Sequence, residues 1–190
     1  MFSDETKFYL YNNDIKSFIW KKKGDKLNEK NIKKTVKFNG GNLMFWGCIS
    51  INGVGNLEVI DTTMDKYKYI NIIRHSLNNS AKKMNLETFK FQQDNDPNHK
   101  SKYAQEYFEN KNIQVIEWPS NSPDLNPIEH IWAYMKNKLS GKIFKKKEDL
   151  VKEVKEIWEN ISPEFCRRLV LSMDNRIIEV LRSNGGYSKY

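Results

Sequence analysis

Residues Gln92 to Glu129 constrain this chain more than any other stretch, because they dictate a strand, a helix, a second strand, a stiff connection and a second helix in succession. Phe89 to Gln93 alternates aromatic and polar side chains with the period of a strand, which leaves Asp94 where that strand ends. Pro97 starts a helix expected to run through Phe108, and Ile113 to Glu117 supplies the second strand. Trp118-Pro119 and Ser122-Pro123 keep the next connection extended, since a residue before proline avoids helical dihedrals. Asn126 reads as an N-cap and Pro127 as the first helical position, with Ile128, Ile131, Trp132, Met135 and Leu139 at helical spacing behind them. Glu129 therefore falls in the first turn of a helix, with thirty-four residues between it and Asp94.

Each acid has an ordinary explanation. Asn126 to Glu129 fits a capping box, in which the glutamate bonds back to the cap amide. Asp94-Asn95 ahead of Pro97 fits a turn that caps the following helix.

Upstream, Met1 to Tyr11 reads as a strand with Phe2, Asp4, Thr6 and Phe8 on one face and Glu5 on the other. A turn at Asn12 to Asp14 leads to a long, basic, glycine-interrupted connection from Lys21 to Gly41. Leu43 to Ile51 and Asn56 to Asp61 are strands around the hairpin signal Asn52-Gly53, so three antiparallel strands follow one another. Asp65 to Asn85 is a core-packing helix, and Asp61 and Asp65 sit at element ends, where acids commonly cap. Downstream helices are expected over Lys147 to Asn160 and, capped by Ser162, over Pro163 to Leu181, with a frayed end from Arg182.

Cys48 and Cys166 lie far apart in apolar surroundings and read as buried thiols in a reducing compartment rather than as a disulfide framework or a zinc site. No apolar run has the length of a membrane span, and MFSDETKF lacks signal-peptide features, so an intracellular protein without a membrane partner is expected. The net charge of +8, with lysines clustered at 21–23, 33–34 and 145–147 and arginines at 167–168, favours a polyanionic partner.

QQDNDPNH, WPSNSPDLNPIE, the thirty-four-residue gap between their acids, FSDETKF and the WGC segment followed by Gly-Val-Gly together resemble the catalytic core of mariner-superfamily transposases. The match is to the branch whose third acid is glutamate. The resemblance implies an α/β, ribonuclease-H-like fold with a mixed five-stranded sheet flanked by helices and extra C-terminal helices, an order that the elements above follow. It implies one catalytic domain over 1–190, with a clamp-like loop at 21–42 and a helical extension at 143–190. The family's helix-turn-helix modules have no counterpart ahead of FSDE, so specific affinity for transposon ends is expected to be missing. Residue by residue, the resemblance makes Asp4, Asp94 and Glu129 the catalytic and metal-binding acids. His99 belongs to the same motif, either as a structural hydrogen-bonding group or as one that orients an active-site residue.

Three carboxylates at one point repel one another unless cations neutralise them, and oxygen-only ligands suit Mg²⁺ or Mn²⁺. A pair of such ions supports in-line displacement at phosphorus, so the expected reactions are hydrolytic nicking of DNA followed by strand transfer. DNA is the implied partner, a homodimer contact through 21–42 is implied by the family's clamp, and a DNA substrate implies the nucleus. Two alternatives stand beside this reading. One is a catalytically silent fragment that binds DNA nonspecifically or pairs with a transposase; the other is a stand-alone ribonuclease-H-like nuclease.

Overall fold

The computed structural model describes residues 1–11, 41–186 and 188. Strands β1 (Phe2–Tyr9), β2 (Asn42–Ser50) and β3 (Gly53–Ile60) form an antiparallel meander with β2 in the middle. The β1 to β2 register sets Phe2 opposite Ile49 and Asp4 opposite Gly47. Asn52 precedes the start of β3 at Gly53, whose φ of 132° is one that side-chain-bearing residues avoid.

Alternation along β2 sends Phe45 and Ile49 to one face of the sheet and Trp46 and Cys48 to the other, and two buried cores follow. The first joins the sheet to helices α3 (Ile128–Leu139), α4 (Lys147–Glu159) and α5 (Pro163–Leu171) through Phe8, Ile131, Trp132, Val154, Trp158 and Cys166. The second joins it to α1 (Lys66–Lys83) and α2 (Lys102–Asn110) through Tyr69, Ile73, Leu77, Ala104 and Phe108. Each large apolar side chain so buried stabilises the fold by about 1.5–3 kcal/mol. Asp65 caps α1, accepting from the amides of Tyr67 and Lys68 at 2.9 and 2.8 Å. Both cysteines are buried free thiols.

Among the described residues the sheet has three strands, and it continues past β1 through two isolated parallel bridges, Phe2 to Gln92 and Phe91 to Val115. Pairing stops at Gln92 because the chain turns away at Asp94, whose Oδ1 accepts the amide of Asp96. Residues 97–100 form turns rather than the start of a helix, and α2 begins after its own cap, Ser101. The helix expected over Pro163 to Leu181 breaks at Ser172 into α5 and α6 (Met173–Arg182). There the Ser172 hydroxyl donates to the Leu169 carbonyl and accepts from Arg176 Nε, while Arg176 Nη1 reaches the Asp124 carbonyl at 2.7 Å.

The clamp-like stretch 21–42 falls, except for Gly41 and Asn42, outside the described residues. Among the described residues no helix is long and apolar enough to cross a membrane.

Candidate active site

Asp4 is placed by alternation on the face of β1 that meets α3, and its Oδ2 accepts the Trp132 indole N–H at 3.1 Å. Burial raises its carboxyl to about 8, and the charges of Glu129 and Glu5 push in the same direction. Trp132 is held in turn by Trp158, stacked on it with ring centroids 5.2 Å apart, and Trp158 Nε1 donates to the Gly55 carbonyl. Gly47, across from Asp4, makes this possible: a Cβ there would stand 2.8 Å from the Trp158 ring and 2.9 Å from that of Trp132.

Asp94 lies just beyond the bridge that ties Gln92 to β1, with its side chain 53% exposed. Its Oδ1 accepts from the Asp96 amide at 3.0 Å and faces His99 Nδ1 at 2.6 Å. The hydrogen bond from His99 holds the Asp94 carboxyl below the usual carboxylate range, against the opposing effect of partial burial. His99 is buried, stacked 3.8 Å from the Tyr69 ring, with Nε2 3.4 Å from Glu5 Oε1. Burial alone would lower the imidazole, but the hydrogen bond to Asp94 and the Glu5 carboxylate at ion-pair distance outweigh it and lift it to about 10.

Glu129 sits half-buried in the first turn of α3. It is not a capping-box residue: the Asn126 amide goes to the Pro123 carbonyl at 3.0 Å, and the cap of α3 is Pro127. Asn126 instead ties the helix start to the sheet, its Nδ2 donating to the Ser3 carbonyl at 3.4 Å. The loop before it is anchored by Asn95, whose Nδ2 donates to the Trp118 carbonyl at 2.7 Å and to Ser120 Oγ at 3.0 Å.

Asp4, Asp94 and Glu129 all line one cavity of about 340 Å³, together with Gln92, Asn95, Trp118 and Asn126. A larger cleft of about 1010 Å³, over α2 and residues 112–118, shares Asp94, Asn95 and Trp118 with it. The acids share the cavity without closing on a common point, for among the described residues no three acidic, histidine or cysteine side chains form a group that could hold an ion as they stand. Asp4 is bonded to an indole N–H and Asp94 to an imidazole, and like charges this near one another disfavour ionisation of all three acids together.

The donor set nevertheless fits Mg²⁺ or Mn²⁺: it is all oxygen, and Asn126 Oδ1 is buried at the cavity without a hydrogen-bond partner. Sequence reasoning missed Trp132 and the link from Glu5 to His99. Trp132 follows Glu129 by three residues, the spacing that puts two side chains on one helix face, and that signal was there to be read.

Fold and cavity define a class of α/β proteins that gather acids from separate elements at one sheet edge. Residues 1–151 match the DDE superfamily endonuclease family. Over 190 residues the chain is 34% identical to the Tc1 transposase of Caenorhabditis elegans and to the Tcb2 transposase of Caenorhabditis briggsae, in each case covering all of this chain and 70% of the relative. The Mos1 mariner paired-end complex with Mn superposes with a TM-score of 0.87 at 21% identity, covering 98% of this chain and 56% of that one. The Mos1 catalytic domain superposes with a TM-score of 0.71 at 23% identity, over 78% of this chain and 76% of that one. This chain thus spans little more than half the length of the Mos1 chain in the paired-end complex. It belongs to the DDE superfamily endonucleases, of the Tc1/mariner type, and its fold is the ribonuclease-H-like α/β fold of the Mos1 catalytic domain.

Proposed function

We propose that this chain is the catalytic domain of a transposase, cutting DNA and transferring the cut strand, with Asp4, Asp94 and Glu129 as the ligands of two divalent ions. The observation that carries the reading is the meeting of these three acids, from a strand, a strand end and a helix start, at one cavity in a chain of this family. Bound Mg²⁺ or Mn²⁺ would supply Lewis acidity at the scissile phosphate and a nucleophilic water or 3′-hydroxyl at neutral pH. The chain's own residues prepare that chemistry. Trp132 holds one oxygen of Asp4, and Asp94 Oδ1 is taken up by Asp96 and His99, so Oδ2 is left for an ion. The joined clefts give a groove in which a DNA strand can lie against the acids, and the exposed Lys145 to Lys147, Arg167 and Arg168 supply cationic surface elsewhere on the domain.

In the same reading the segments 89–93 and 113–117 are the fourth and fifth strands of the family's sheet, reduced to single bridges. The homodimer contact through 21–42 and a nuclear location rest on the resemblance and on the DNA substrate. Incubation of supercoiled plasmid with the chain and Mn²⁺ tests the proposal. The expected result is nicked circles with wild type and at least 100-fold fewer with Asp94→Asn, since an essential ligand is lost. A protein that retards DNA on a gel yet nicks none with Mn²⁺ or Mg²⁺ would instead be the silent fragment.

A further inference from the structure

His99 has a carboxylate at each ring nitrogen: Asp94 Oδ1 is 2.6 Å from Nδ1 and Glu5 Oε1 is 3.4 Å from Nε2. Its ring stacks on Tyr69, at 3.8 Å between centroids and 29° between planes. Tyr69 in turn donates its hydroxyl to Gln93 Oε1, and Gln93 Nε2 donates to the His99 carbonyl at 3.2 Å. Glu5 sits in β1 next to Asp4 but on the opposite face, paired with Trp46 of β2, and its side chain is only 17% exposed. Of Glu5, Tyr69, His99 and Asp94, Asp94 is the one that lines the cavity, and it stands outside any strand or helix. Its Oδ1 already accepts the Asp96 amide at 3.0 Å, and the imidazole adds a second hold on the same oxygen. Glu5 orients the imidazole, the imidazole takes Oδ1, and Oδ2 is presented to the cavity.

We propose, building on the site assigned under Proposed function, that Glu5 and His99 are positioning residues that fix the Asp94 carboxylate for its metal ion. Glu5 does so from the far face of the strand that carries Asp4, so one strand sets two of the three acids. A ligating carboxylate of this kind depends on its outer hydrogen-bond partner, whose removal typically costs about 10–100-fold in metal affinity.

Isothermal titration of the full chain with Mn²⁺ tests this, alongside the Mn²⁺ concentration that half-saturates plasmid nicking. His99→Ala is expected to weaken Mn²⁺ about 10–100-fold and to raise the half-saturating concentration in step, with the KM for DNA unchanged. His99→Asn, which keeps a donor near Nδ1, should recover most of that affinity, and Glu5→Gln should lose several-fold while folding normally. A purely structural role would lower the melting temperature of these variants and leave Mn²⁺ affinity alone, which overturns the proposal. If His99→Ala does not fold, Glu5→Gln and His99→Asn decide: Mn²⁺ affinity equal to wild type in both overturns it. Asp94→Asn separates the two levels. Mn²⁺ binding lost in Asp94→Asn but intact in the His99 and Glu5 variants overturns the positioning role and leaves the site standing, whereas binding intact in Asp94→Asn overturns the site and the positioning role together.

Discussion

Trp132 and Asp4 meet through one hydrogen bond, indole Nε1 to carboxylate Oδ2 at 3.1 Å, across 128 residues of sequence. It makes α3 serve the cavity twice, through Glu129 in its first turn and through the indole one turn later. Trp132→Phe keeps an aromatic ring against Trp158 and removes the N–H. The expected cost is about 1 kcal/mol in stability, the net worth of one hydrogen bond, with a loss of nicking of about tenfold. Urea denaturation and plasmid nicking measure the two effects.

Proton linkage gives a second prediction. Asp4 is raised from an ordinary 3.8 to about 8 and His99 from 6.5 to about 10, so the folded chain holds protons that the unfolded chain has lost. Stability of the metal-free protein should therefore fall as pH rises from about 4 to about 8 through Asp4, and from about 6.5 to about 10 through His99. Asp94 acts at the other end: its carboxyl is held low, so its contribution is lost as pH falls toward and below the usual carboxylate range. Maximum stability of the metal-free chain is thus expected in mildly acidic solution. Asp4→Asn should remove the slope assigned to Asp4 and stabilise the protein by about 1–3 kcal/mol at pH 8, with little effect near pH 4. Denaturant midpoints measured across the pH range would contradict this if stability rose steadily from pH 5 to pH 8.

Gly47 is the third test. Its φ is not in the left-handed region; what demands glycine is the space taken by two indoles 2.8 and 2.9 Å from where a Cβ would stand. Gly47→Ala should cost about 1–3 kcal/mol by overpacking. The substitution also pushes on the ring that holds Asp4, so nicking should fall by more than the loss of folded protein accounts for. Melting curves and nicking rates of the same samples make the comparison.

Most of what places the acids was legible in the sequence, because it is local. Alternation set Asp4 and Glu5 on opposite faces of β1, Asp65 announced the start of α1, and the apolar spacing behind Pro127 gave α3. What was not legible depends on residues far apart in the chain. Whether 89–93 and 113–117 pair as full strands depends on where the chain turns at Asp94, and they stop at one bridge each. The break at Ser172 depends on Arg176 finding the Asp124 carbonyl, 52 residues away. Asn126 looked like a cap, and its amide group serves β1 instead. Of the partners of the acids, Trp132 could be placed near the site by its spacing of three from Glu129, but its bond to Asp4 and the contact of Glu5 with His99 join residues far apart in the chain.

The net charge of +8 predicts how the chain holds DNA. Binding should release condensed counterions, and if about four phosphates are neutralised the affinity should drop about 100-fold between roughly 50 and 200 mM salt. Fluorescence anisotropy with a labelled duplex at several salt concentrations measures the slope. A salt-independent affinity would mean that the basic clusters do not touch the backbone.

The central claim is that Asp4, Asp94 and Glu129 close around divalent ions, and anomalous diffraction from crystals grown with Mn²⁺ tests it most directly. The expected map has Mn²⁺ in the cavity between β1 and α3, bonded to oxygens of Asp4, Asp94 and Glu129, with Asp94 Oδ1 still held by His99. Mn²⁺ bound elsewhere on the domain, with this cavity empty and the three carboxylates as far from a common point as in the metal-free chain, would contradict it.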